Sequence, residues 1–202
     1  MITNMNNNLE FIEDYHIYVL DGIPIPSVSD IIKFVFPDKY TNIPEKILKE
    51  AGEFGTNMHK VIEEYEQGSK QNLTITQETL LEDYIQLKKD NNLEVIGAEQ
   101  MIHYKDLYAG RYDQLGKKDN KTYLIDLKFT AEFDYKWLQL QLSLYNRAVK
   151  ADKLGCYHIP KKGFSQFIEI EELKESELDE ILSRYRADRE RNKVNPFGEQ
   201  IV

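Results

Sequence analysis

The chain has one cysteine, Cys156, in 202 residues, and that excludes several chemistries. No internal disulfide can form, and thiolate-based zinc or iron–sulfur sites need several sulfurs. Any metal must use oxygen and imidazole ligands. Long hydrophobic runs are also missing. None approaches the roughly 18–20 residues of a membrane span, and the polar start MITNMNNNLE is unlike a secretory signal. A soluble, cytoplasmic protein with no membrane partner is expected. Positive charge is scarce: 26 Lys and Arg against 35 Asp and Glu leave a net charge of −9. This argues against broad, non-specific nucleic-acid binding, which depends on Lys and Arg against phosphate. It does not exclude a local groove. Basic residues gather at Lys117, Lys118 and Lys121, at Lys161 and Lys162, and at Arg184, Arg186, Arg189 and Arg191. Internal repeats are absent, and low complexity is limited to a short Asn run. The length suits one domain over 1–202, with residues 1–10 peripheral or disordered.

The most informative stretch runs from Gly110 to Lys128, GRYDQLGKKDNKTYLIDLK. Alternating Tyr123, Ile125 and Leu127 mark a strand, and the polar turn Lys118-Asp119-Asn120-Lys121 joins it to the strand before it as a β-hairpin. With Asp119-Asn120 at the tip, facing residues have numbers that sum to 239, so Asp113 lies opposite Asp126. Two facing carboxylates repel unless something positive stands between them. Period two puts Lys128 on the face of Asp126, roughly 7 Å along. A bland reading makes these charges a solvated strand face with a weak surface pair. Against it, Leu124, Ile125 and Leu127 surround Asp126 as in a strand covered on both sides, where a carboxylate must be paired or bind a metal.

The flanking segments supply a fold. A hairpin is expected over His16–Ile25, turning at Asp21-Gly22. A short helix follows, capped by Ser27 or Ser29 and closed by Pro37. Pro44 suits the first turn of another helix carrying Ile47, Leu48 and Ala51. Thr56 or Asn57 then caps a separate helix with Met58, Val61, Ile62 and Tyr65 on its apolar side. On its flank His59 and Glu63 stand four apart, and Gly55 implies a close backbone approach. A helix over about 77–87 ends at the polar break 88–92. Strand-like 93–104, with Glu99 inside it, pairs with 107–115 as part of a meander. A helix over about 134–150 carries Gln141 in the middle of an apolar stripe, where it needs polar company. Strands at 155–159 and 164–170 and a helix at about 174–191 complete the chain. The fold class is α/β, a small mixed β-sheet flanked by helices on both faces.

Asp113, Asp126, Lys128, His59 and Gln141 are all expected at one end of the sheet. Two carboxylates and an imidazole form a hard, oxygen-rich set that suits Mg²⁺ or Mn²⁺ better than zinc. Such ions act on phosphate esters. Lys128 beside them would orient or activate the attacking water and help neutralise the phosphorane-like state.

Gly55-x-x-x-His59, Gly110-Arg111-Tyr112-Asp113, Asp126-Leu127-Lys128 and Gln141-x-x-x-Tyr145 together resemble the motifs of the PD-(D/E)XK nuclease superfamily. The branch is the RecB and AddB nuclease-like one common among phage exonucleases, and the likeness covers Gly55 to about Ala148. The N-terminal YVLDGIPIPSVSDII is similar to phage-encoded members. The resemblance implies a restriction-endonuclease-like core, with His59, Asp113, Asp126 and the backbone carbonyl of Leu127 as metal ligands and Lys128 serving the water. It gives Gln141 the role of orienting groups near the phosphate, and Tyr145 that of supporting the helix or touching DNA. Glu63 and Glu99 stand where many members carry acids. The cysteine ligands of the iron–sulfur subgroup are absent. The implied activity is hydrolysis of DNA phosphodiester bonds, as an exonuclease on linear or single-stranded ends in recombination, repair or replication. The partners that go with it are DNA, a homo-oligomer, and a phage recombination or single-strand-binding protein. The competing expectation is a non-catalytic DNA-binding or assembly module that keeps the fold.

Overall fold

The computed structural model describes residues 8–69 and 72–192. Its central element is a five-stranded mixed sheet in the order β4-β5-β6-β7-β8. The strands are β4 (Glu94–Tyr104), β5 (Tyr108–Lys118), β6 (Lys121–Lys128), β7 (Lys153–His158) and β8 (Gln166–Ile170). The first three form an antiparallel meander. The chain then crosses over through α4 (Tyr135–Val149), so that β7 lies parallel to β6, before β8 returns antiparallel.

Helices cover both faces, which explains the near-continuous apolar run of β6. Leu124 packs with α1 (Val28–Val35), α4 and α5 (Glu175–Asn192) on one side. Tyr123, Ile125 and Leu127 pack on the other side against α2 (Glu45–Glu66) and α3 (Ile75–Asp90). The class expected from the sequence, α/β with a mixed sheet between helical layers, is the one found. Ser27 caps α1 in a full capping box: its Oγ accepts from the Asp30 N–H at 3.0 Å, and Asp30 Oδ2 accepts from the Ser27 N–H at 2.9 Å.

A smaller antiparallel sheet is built from β1 (Leu9–Ile12), β2 (Ile17–Leu20) and β3 (Ile23–Ile25). The β2–β3 hairpin is the one expected. The strand Leu9–Ile12 corrects the expectation of a peripheral 1–10: Leu9 pairs with Leu20 and Glu10 with Val19. Residues 1–7 lie outside the described residues. Ala109 ties the two sheets together, its N–H donating to the Pro26 carbonyl at 2.9 Å.

Two helical boundaries also differ from the expectation. Residues 45–66 form one helix with Pro44 at its N-cap, so Thr56 and Asn57 sit inside it and cap nothing. A Cβ added to Gly55 would meet nothing within 4 Å, so no close backbone approach exists there. Only Met58, Val61 and Ile62 of this helix are fully buried. Its contacts lie in the C-terminal half, and these override the local glycine signal. Likewise α3 continues through Lys88-Lys89 to Asp90, where the two lysines lie in its last turn and complement the helix dipole.

Candidate metal and catalytic site

The hairpin register is the one read from the turn. Lys118 faces Lys121 and Gln114 faces Ile125, both pairs summing to 239. The ladder stops there, so the expected facing pair of Asp113 and Asp126 does not form. The Leu127 N–H, next in line on β6, donates to the Asp113 side chain, whose Oδ2 accepts at 2.7 Å. Tyr112 and Leu115, three residues apart, both pack into the α4-side cluster, so the alternation of β5 slips by one around Asp113. The neighbouring strand is irregular at the same level. Its register shifts between Val95 and Gly97, and Glu99 has a left-handed φ of 49°. Strained backbone of this kind in a non-glycine residue costs of order 1–3 kcal/mol. Here it turns the Glu99 carboxylate toward α2.

His59, Glu99 and Asp113 come together as a result. His59 Nδ1 is 3.6 Å from Glu99 Oε1 and 3.6 Å from Asp113 Oδ2. One ligand atom from each of the three lies within 4.8 Å of the others. Burial works against the charged imidazole. Asp113, Glu99 and the nearby Asp126 together outweigh it, and the pKa of His59 is pushed up to about 9. At neutral pH an imidazolium therefore stands between the two carboxylates.

Asp126 and Lys128 share one face of β6, as period two requires. Asp126 keeps 2 % of its surface. Its Oδ1 accepts from Gln141 Nε2 at 2.9 Å, and Lys128 Nζ stands 2.8 Å from its Oδ2. That ion pair is close but off-angle, so Oδ2 is buried without an aligned hydrogen bond. Burial pushes the Asp126 carboxyl up to about 6, with Lys128 opposing. Burial also disfavours the Lys128 ammonium, but Asp126 and Asp113 more than compensate and hold its pKa above the ordinary lysine value. Lys128 is thus a firm cation engaged with Asp126, and its Nζ reaches Gln141 Oε1 at 3.4 Å. It is less free than the sequence suggested.

Gln141 finds the polar company its place in an apolar stripe demanded, bridging Asp126 and Lys128 from α4. Tyr145, one turn further along, explains the glycine of Gly110-Arg111-Tyr112-Asp113. A Cβ at residue 110 would lie 2.5 Å from Tyr145 Cε1. Burial, then Asp113 and Asp126, raise the Tyr145 hydroxyl well above its usual range. Glu63 does not join the cluster, and its carboxylate accepts from Gln67 Nε2 at 3.2 Å.

Glu99 is the member that sequence reasoning underweighted. Its signal was an acid inside a strand-like run. Tyr18 and Tyr40 also border the site. Burial raises the Tyr18 hydroxyl, with Arg111 lowering and Glu99 raising it further. Burial likewise raises Tyr40, partly offset by Lys128. No local signal marked either tyrosine.

The donor set fits a hard divalent cation. Neighbouring ligands about 2.0–2.1 Å from a Mg²⁺ ion sit about 3 Å apart around an octahedron, so the two 3.6 Å separations would have to close by roughly half an ångström around an ion. The unaligned Asp126 Oδ2 is a further buried carboxylate oxygen, but Asp126 is not one of the three residues that cluster.

No family model matches the chain, and no curated protein matches it. Among solved structures, one described only as the crystal structure of SSO0001 overlaps 80 % of this chain and 74 % of its own, with 18 % identity and a TM-score of 0.43. Overlap at that level says nothing about activity. No helix among the described residues is long and apolar enough to cross a membrane.

Proposed function

We propose that this chain is a Mg²⁺- or Mn²⁺-dependent nuclease of the PD-(D/E)XK type that hydrolyses DNA phosphodiester bonds. The observation that carries the reading is the gathering of His59, Glu99 and Asp113, with the Asp126–Lys128 pair of β6 near enough to act on the charge of His59. His59, Asp113 and Asp126 would hold the ion, with Glu99 completing the acid set and the Leu127 carbonyl a further candidate oxygen. When bound, the ion supplies Lewis acidity toward a phosphate oxygen and lowers the pKa of water.

The protein's own residues do the rest. Leu127, through its N–H, fixes the Asp113 carboxylate in the plane of the sheet, so that ligand is oriented before anything binds. Gln141 holds Asp126 Oδ1 and stands against Lys128, which sets the direction of both side chains. As a firm ammonium, Lys128 cannot accept a proton from water in this state. Its contribution is to orient the water and offset the negative charge that builds on the phosphoryl oxygens. Tyr145 packs over Gly110 and keeps α4 at the height where Gln141 meets Asp126.

The test is digestion of end-labelled linear DNA against covalently closed circular DNA with Mg²⁺ or Mn²⁺, with Asp126→Ala and Lys128→Ala as controls. Cleavage that both substitutions abolish supports the reading, and preference for the linear substrate assigns exonuclease action. Intact DNA with every divalent ion, or equal turnover by both variants, rejects it. DNA retention without turnover would select the non-catalytic module instead.

A further inference from the structure

Outside the candidate site, the exposed surface is most unusual at the loop 159–165, between β7 and β8. Phe164 keeps 94 % of its surface in solvent, more than any other large apolar residue among those described. A lone exposed aromatic means little by itself; here its position and neighbours carry the argument. Lys128 pairs with His158 at the end of the parallel β6–β7 ladder, and the Ile159 N–H donates to the Lys128 carbonyl at 2.8 Å. The loop therefore springs from the end of the sheet that holds the candidate site. Five residues on, Phe164 lies within about 18 Å of that point.

The loop is also held in place. Lys161 Nζ sits 3.4 Å from the centre of the Phe54 ring, on the helix that carries His59. Ser165 Oγ donates to Asp83 Oδ2 of α3 at 2.6 Å. Between these two pins Gly163 adopts a φ of 115°, which an L side chain would resist, and this turn brings Phe164 to the crest. Lys162 is exposed beside it. The result is an aromatic ring presented from an anchored loop next to two cations, in a chain whose net charge is −9.

We propose that this loop is a stacking platform for an unpaired base of single-stranded nucleic acid entering the site, with Lys161 and Lys162 meeting the flanking phosphates. The proposal rests on the nuclease reading for its substrate and adds where and in what form that substrate is held. Base faces inside a duplex are already stacked on their neighbours, so an exposed ring can engage only an unpaired or terminal base. A phenyl ring offers no hydrogen bonds, so the platform tolerates any sequence. A duplex end must fray to reach it.

The test measures binding of fluorescein-labelled oligothymidylate and of a fluorescein-labelled, relaxed covalently closed circular duplex, which has neither ends nor loops, to the full chain in chelator, where turnover is blocked. Phe164→Ala is expected to weaken oligothymidylate binding about tenfold or more, as loss of one base–aromatic stack would. Phe164→Trp should restore it, and the closed duplex should be unaffected. Lys162→Ala should reduce the slope of log affinity against log salt by about 0.7, the value for one phosphate contact on a single strand. Because the ring is exposed, Phe164→Ala should leave the melting temperature unchanged. Unchanged affinity of Phe164→Ala for oligothymidylate, equal losses on both probes, or no binding by the wild type would overturn the platform. Cleavage that depends on Lys128 but ignores Phe164 refutes this inference and leaves the nuclease standing. Binding that depends on Phe164 without any cleavage does the reverse.

Discussion

The imidazolium between Glu99 and Asp113 makes a quantitative prediction. In chelator, His59 is the nearest cation to both carboxylates, with its pKa raised from 6.5 to about 9. A displacement of that size is worth about 3 kcal/mol at most. His59 keeps 27 % of its side-chain surface, so screening lowers the figure somewhat. A folded-state pKa above the unfolded one means the stabilisation is complete below pH 6.5 and is lost as pH rises through 9. For a chain of this size, about 3 kcal/mol corresponds to about 6–12 °C in melting temperature. Asp126, raised from 3.8 to about 6, has the same sign but a lower window, so its loss is over before that of His59 begins. The experiment is thermal unfolding in chelator from pH 4 to 10 for wild type and His59→Gln. Wild type should lose stability between pH 6.5 and 9, and the variant should be less stable at pH 6 and flat across that interval. Saturating Mg²⁺ or Mn²⁺ should abolish the wild-type fall by taking over the cation's role. At a hundred times Kd it should add about 2.7 kcal/mol. Superimposable profiles for the two proteins between pH 6.5 and 9 would refute the reasoning.

Lys128→Met should lower turnover at least about a hundredfold, the scale for losing one charge-stabilising donor. It should also cost the metal-free protein about 3 kcal/mol, because Asp126 is left buried without its cation; calorimetry in chelator and DNA digestion measure the two effects. Gly110→Ala places a methyl 2.5 Å from Tyr145 Cε1. It should destabilise by about 1–3 kcal/mol through overpacking and slow cleavage by shifting Gln141, whereas unaltered activity would separate Tyr145 from the site. Ser27→Ala removes the cap of α1 and should cost about 1 kcal/mol in denaturant unfolding, with cleavage unchanged, since α1 supplies no group to the site.

The part of this protein written most plainly in its sequence is local. Asp119-Asn120 sets the hairpin turn, the turn fixes the register, and period two puts Asp126 and Lys128 on one face. Each step spans only a few residues, so pattern alone decides it. The polar Gln141 in its apolar stripe is equally legible, because an amide in that position needs a partner and Asp126 is one. Gly110 could be read as part of a motif, but its cause, the Tyr145 ring on a helix thirty-five residues away, could not.

Tertiary structure decided everything that depends on packing between distant segments. Thr56 or Asn57 suggested a new helix start before His59, yet α2 runs unbroken through Gly55 and both of them, because burial of Met58, Val61 and Ile62 anchors the helix from its other end. Leu9 and Glu10 fell within the Asn-rich stretch 1–10 expected to be peripheral until pairing with β2 made Leu9–Ile12 a strand, since an edge strand draws its stability from the partner rather than from its own composition. Glu99 reaches His59 only because β4 kinks where β5 slips at Asp113, and no local pattern encodes two coincident irregularities. The sequence by itself specified which acids and which lysine leave the central strands together. The fold alone determined the third acid, Glu99, the seat of the His59 imidazole between two carboxylates and the aromatic loop beside them, because those meetings are set by how helices and strands far apart in the chain pack.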